Sequence, residues 1–148
     1  MVIMPKHAKK SRSEEQNLQR KYVQLQIIRQ QLAALMEEKK AITEKANEFS
    51  MTVSALQKLQ DVKNREEMWS SLGSGTFVRS DIKDTEKVFI AVGAGVVLRK
   101  TADESIKILS SRLDDLHKFE AELMAEIMKY SQTAEHLEKE LEHAARNR

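Results

Sequence analysis

The sequence predicts a mainly α protein: a long antiparallel two-helix coiled coil whose helices are connected by two short β-hairpins. Three observations carry this reading. The four glycines, Gly73, Gly75, Gly93 and Gly95, all fall in one central stretch, so both flanks lack glycine, and glycine is the strongest local breaker of regular structure. Both flanks repeat apolar residues in alternating steps of three and four, which is the helical period. The centre drops that period and takes up β-branched and aromatic residues between turn signals. Composition agrees, with 32% charged and only 5% aromatic residues. That balance suits long helices with wet outer faces better than a bulky globular interior.

The first helix is expected over residues 13–65, with Ser13 and Gln16 as a weak capping box. Leu18, Leu25, Leu32, Ala46 and Val53 occupy heptad position a, and Ile28, Leu35, Ile42, Phe49 and Leu56 occupy d. A seam sustained this far predicts a left-handed supercoil. Lys21 at d and Lys39 at a interrupt it. A polar residue at a seam position lowers stability but specifies register.

The second helix is expected over residues 101–148. Thr101 and Glu104 form a capping box, and Asp103 and Glu104 place acid in the first turn, where the helix dipole favours it. Ala102, Leu109, Leu116, Leu123, Tyr130, Leu137 and Ala144 take d; Ile106, Leu113, Ile127, Ala134 and Leu141 take a, with Glu120 as the exception. Arg146 and Arg148 give the end of the helix its favourable sign. Folding Leu56 near Ala102 brings Leu18 near Leu141 and sets Lys39 close to Glu120. The two seam defects are expected to pair and fix the register; the alternative is that both reach out to water.

Four short strands are expected in the centre, at residues 68–72, 76–82, 88–92 and 96–99. Gly73-Ser74-Gly75 and Gly93-Ala94-Gly95 form the hairpin turns, and residues 83–87 a polar connection. Val88, Phe89, Ile90, Ala91 and Val92 run almost continuously apolar, as strands covered on both faces do. Isolated hairpins are marginal in water, so Phe77, Val78, Val88, Phe89, Ile90, Val92, Val96, Val97 and Leu98 are expected to mediate oligomerisation. The plainer alternative is that the strands only cap the end of a monomer.

Charge and motifs exclude several classes. With 25 basic and 23 acidic residues the net charge is +2, too balanced for a strong nucleic-acid field. Lys and Glu alternate along both helices without a basic stripe bearing stacking aromatics, so no nucleic acid is expected. Neither glycine turn continues into a phosphate-binding loop. His117, His136 and His143 lack metal-ligand spacing. No enzyme activity, cofactor or metal is expected. There is no cysteine, no stretch of apolar residues long enough for a membrane span, and no signal-peptide core at the start. The expectation is a soluble, cytoplasmic chain.

Residues 72–109, LGSGTFVRSDIKDTEKVFIAVGAGVVLRKTADESIKIL, resemble the α class of prefoldin subunits. The matching steps are residues 72–75, 86–88 and 92–95, followed by residues 101–106; Ser71 stands where such sequences commonly carry proline. Lys6, Lys9, Lys10 and Arg12 with His7 make residues 1–12 an expected basic disordered tail, and the resemblance implies a domain over residues 13–148 with residues 66–100 the assembly segment. It implies that the hairpins join a second copy of the chain and β-class subunits in an α2β4 hexamer around a β-barrel platform. It further implies ATP-independent capture of unfolded polypeptides at the coiled-coil tips and their delivery to a group II chaperonin. Apolar side chains left over by the seam near those tips are Tyr22, Val23, Ile27, Met124 and Met128; Leu18, Ile28, Leu137 and Leu141 are seam residues that could open to a client. A filament-forming scaffold is the alternative, and a coiled-coil nucleic-acid binder a weaker one.

Overall fold

The structure, a computed structural model, describes residues 6–62 and 66–147. Its elements run α1 (Lys6–Leu59), β1 (Glu67–Gly73), β2 (Thr76–Asp81), β3 (Lys87–Gly93), β4 (Val96–Thr101) and α2 (Ala102–Arg146). All four strands and α2 fall where the sequence places them; α1, expected over residues 13–65, runs from Lys6 to Leu59 instead, so residues 6–12, expected as a disordered tail, are helical. Residues 1–5, residues 63–65 and Arg148, which the sequence reading assigned to the tail, the end of helix 1 and the end of helix 2, lie outside the described residues.

Helix α1 begins at Lys6, upstream of the Ser13 start expected from capping. Its first turn holds no acidic residue, an unfavourable sign for the helix dipole, so local signals gave no reason to begin it there. Helix α2 begins as expected: the Glu104 N–H donates to Thr101 Oγ1 at 3.1 Å, and the Thr101 N–H donates to Glu104 Oε2 at 3.0 Å. That reciprocal bond holds the Glu104 carboxyl below its usual value, chiefly through the Thr101 amide.

The chain divides into two units, residues 1–42 with 119–148, and residues 43–118. In the first, Leu25, Ile28, Ala134 and Leu137 form a buried cluster, with Leu32, Tyr130 and Leu141 packed against it. All are a or d residues, and the helices run antiparallel in the expected register. Every other seam residue of both helices is buried or half-buried. The heptad pattern therefore corresponds to the side chains removed from water.

The seam defects behave differently from each other. Lys21 forms an ion pair with Glu140 at 3.0 Å. Lys39 and Glu120 are both half-buried, but Lys39 forms no ion pair with a described residue, Glu120 included. The expected Lys39–Glu120 pairing is thus not made; a lysine stem can lie along the seam while its ammonium turns to water. Lys39→Leu is therefore expected to raise stability by about 1 kcal/mol, read as a higher urea midpoint. A lowered midpoint would mean that the ammonium has a stabilising partner.

In the second unit, β1 pairs with β2 and β3 with β4, each antiparallel, as two separate two-stranded sheets; a single chain closes no barrel. The two hairpins repeat one another at an offset of 20 residues: Trp69↔Arg79 answers Phe89↔Arg99, and both registers shift just before the turn, at Leu72 and Val92. Ser74 and Gly75, like Ala94 and Gly95, have positive φ, the signature of the type I′ turn that suits strand twist.

Hairpin 2 is tied to α2. Arg112 Nη1 donates to the Ala91 carbonyl at 3.2 Å, and Ile90 is buried. Across the helix pair, Gln60 Nε2 donates to Asp103 Oδ1 at 2.6 Å. Ala46, Ala102, Ser105 and Leu109 are buried as well, and the Ser105 hydroxyl has no hydrogen-bond partner among the described residues. A buried hydroxyl left unsatisfied destabilises by about 1–3 kcal/mol. Ser105→Ala is thus expected to raise the melting temperature, and a fall would reveal a hydroxyl partner.

Candidate functional site

Two surfaces stand out, one in each unit. In the first unit, α1 and α2 spend their a and d residues on each other, which fixes what the remaining faces present. Tyr22, Val23 and Ile27 on α1 and Met124 and Met128 on α2 are all exposed, Val23 by 56%. Val23 and Ile27 are four apart and so share one face, with Gln16, Gln19, Arg20 and Gln24 around them. Beside this face is a groove of about 610 Å³, whose lining includes Leu18, Tyr22, Val23, Leu141 and Ala144.

The nine expected tip residues therefore separate into three kinds. Tyr22, Val23, Ile27, Met124 and Met128 are exposed; Leu18 and Leu141 are half-buried at the groove; Ile28 and Leu137 are each 6% exposed, inside the seam cluster. The last two can meet a ligand only if the helices part. Sequence reasoning missed Met36 and Phe119, exposed in the same unit. Both lie off the heptad seam, the same signal that singled out Val23 and Ile27.

Ion pairs join the helices next to this surface. Arg29 Nη2 donates to Glu138 Oε1 at 2.7 Å. Glu140 receives Lys21 and also lies 3.1 Å from His136 Nε2. The hydrogen bond from Lys21 is the main reason the Glu140 carboxyl is held below its usual value. These groups are partly exposed, so the pairs add little stability and serve mainly to orient the helices.

The second surface is the hairpin pair. Glu67, Trp69, Ser71, Phe77, Arg79 and Asp81 share one face of hairpin 1; Lys87, Phe89, Ala91, Val97, Arg99 and Thr101 share the matching face of hairpin 2. Trp69 is 68% and Phe89 76% exposed. The near-continuous apolar run of β3 is thus covered on one face only within a single chain. Of the expected assembly residues, Phe77, Val78, Phe89, Val96, Val97 and Leu98 are exposed, Val88 and Val92 are half-buried, and Ile90 is buried. Trp69 and Leu72 belong with them by exposure, although the reading from sequence gave them no such role.

The connection between hairpins is shaped by Asp84. Its Oδ1 accepts from the Glu86 N–H at 2.9 Å and the Lys87 N–H at 3.2 Å, and its Oδ2 meets Arg99. The two backbone amides are the main reason its carboxyl titrates below the ordinary range. Among the described residues no cluster of potential metal ligands occurs, and no helix is long and apolar enough to cross a membrane.

The chain is similar in structure to filamentous PFD from Methanocaldococcus jannaschii, solved by cryo-EM, with a TM-score of 0.68 over 78% of this chain and 96% of that one at 18% identity. That likeness concerns the fold. No curated protein matches the sequence. The family model described as prefoldin subunit matches residues 28–147, from within α1, through both hairpins, to the end of α2. With that match across most of its length, the chain belongs to the prefoldin family, whose members are chaperones.

Proposed function

We propose that this chain is an α-class prefoldin subunit, an ATP-independent holdase rather than an enzyme. It captures unfolded polypeptides where the first turns of α1 meet the last turns of α2 and delivers them to a group II chaperonin. In this reading it works in the cytoplasm, within an α2β4 hexamer made with a second copy of itself and β-class subunits. Residues 13–148 act as the subunit's domain and the hairpins as its means of assembly. The observation that carries the proposal is the set of exposed apolar side chains that the seam does not use, Tyr22, Val23, Ile27, Met124 and Met128. Flexible methionines among aliphatic and aromatic neighbours adapt to many apolar partners, as a client-tolerant surface requires. The two hairpins support the α-class assignment.

The test is light scattering from a denatured client without ATP. Replacing Tyr22, Val23, Ile27 and Met128 together by Ser is expected to lower suppression of aggregation several-fold while sedimentation still reports the full assembly. Undiminished suppression would rule this surface out.

A second reading is a filament-forming scaffold, favoured by the likeness to a filamentous PFD. Sedimentation separates the two, since a closed hexamer gives one boundary and an open filament a broad, concentration-dependent distribution.

A further inference from the structure

The two helices of the first unit carry opposite charge. Along residues 6–36 of α1 seven Lys and Arg stand against Glu14 and Glu15, and from Gln16 to Met36 there is no acidic residue. Over residues 119–146 of α2 seven Glu stand against Lys129, Lys139 and Arg146. Lys9, Arg12, Gln16, Arg20, Val23 and Ile27 follow one another in steps of three and four, so they share one face, and all six are exposed. They take heptad positions b, c and f, which point away from the seam. Lys9, Arg12 and Arg20 form no ion pair with a described residue. The acids that border this face are occupied or offset. Glu140 meets Lys21, and Glu138 meets Arg29. Glu15 lines the groove on the Tyr22 side and is itself engaged. Glu126 lies in the hollow beside Ile27, where Lys129 accompanies it. Glu14 takes position d, on the seam side of the helix.

Resting on the reading that this surface holds unfolded polypeptides, we infer that the outer face of α1 selects one class of them: apolar segments flanked on one side by acidic residues. The apolar part lies on Val23 and Ile27, and the carboxylates lie against Arg20, Arg12 and Lys9. Those cations stand from about 5 to about 21 Å beyond Val23 along the helix axis, a distance that roughly two to six residues of extended chain cover. Gln16, Gln19 and Gln24 offer an unfolded backbone neutral amide donors and acceptors without repelling a carboxylate. A segment flanked by lysine meets like charge at the same place, which selects against it. The face has an aliphatic pair and no stacking aromatic among the six, so its chemistry suits a polypeptide and not a single-stranded nucleic acid.

The chain has no cysteine of its own, and Gln24 lines this face beside Val23 and Ile27. In the full chain, Gln24→Cys labelled with an environment-sensitive dye therefore reports occupancy of the face alone. The probes are synthetic peptides with one shared apolar core, flanked on one side by Glu, Ser or Lys. The Glu peptide is expected to bind about tenfold tighter than the Lys peptide at low salt, with the Ser peptide between them and the gap narrowing as salt screens the exposed charges. Lys9→Glu with Arg12→Glu and Arg20→Glu is expected to invert that order while helical circular dichroism holds. Equal binding by the peptides, or an unchanged order in the triple variant, would overturn the inference and leave the capture reading standing. A single-stranded oligonucleotide that matches the Glu peptide would overturn it too, making the face a general polyanion site. A dye signal that rises with protein concentration alone would assign the face to a second copy and overturn it equally. No binding by any peptide would end both the inference and the capture reading at this face.

Discussion

Leu137→Ala is expected to destabilise the protein by about 3 kcal/mol, read as a lower urea midpoint by circular dichroism at 222 nm. Leu137 is 6% exposed and packs with Leu25, Ile28 and Ala134 in the buried cluster of the first unit. Two of those four are large aliphatics contributed by α1 and one is an alanine, so little remains to fill the space that a missing isobutyl group leaves. The cost is a transfer term plus a cavity term, and a two-helix seam relaxes only along its open sides. Leu25→Ala shares the same cluster, so the double variant should fall short of the sum of the singles. Val23→Ala is the control: its side chain is exposed and its loss should stay within about 0.5 kcal/mol. A change below about 1 kcal/mol for Leu137→Ala would mean that the seam does not hold this unit together.

The second large effect is expected at the turns. Gly75 and Gly95 have φ of 72° and 73°, and a Cβ added at either meets nothing within 4 Å. Substitution there is therefore a pure backbone effect. Gly75→Val with Gly95→Val should destabilise each hairpin by roughly 1–2 kcal/mol, since a β-branched L-residue resists the left-handed region. Isolated hairpins have little stability to lose. The expected result is loss of assembly by sedimentation with the helical signal retained. Ala94 provides the opposite sign. It is a non-glycine residue at φ 50°, and asparagine tolerates that geometry better, so Ala94→Asn should strengthen hairpin 2. If the double valine variant assembled normally, strand pairing would not depend on these turns.

Much of this architecture was legible in the sequence, for identifiable reasons. Heptad spacing marked the seam because the same residues that repeat are those removed from water, Leu25, Ala46 and Ala102 most fully. Thr101 and Glu104 announced the start of α2 because a capping box is a local arrangement complete within four residues. The helical turns from Lys6 onward were not legible, because their charges oppose the dipole and no cap marks them. Lys39 and Glu120 misled for a different reason. Proximity across a seam does not ensure a salt bridge when the lysine ammonium can turn to solvent. At the candidate site, periodicity separated seam from surface but did not rank the surface residues, so Met36 and Phe119 went unnoticed. The hairpin repeat was hidden because its two copies share turn glycines and an arginine but differ at most other positions.

That repeat has a consequence for how such a chain can change. Glu66 precedes β1 as Glu86 precedes β3, so excising residues 67–86 would place Glu66 where Glu86 now stands and leave hairpin 2, its Arg112 tether and the whole of α2 untouched. The cut begins and ends outside both helices, so the heptad phase of neither would shift. The number of hairpins is thus a setting independent of the coiled coil, adjustable in whole modules, and a one-hairpin descendant could arise from a single in-frame loss.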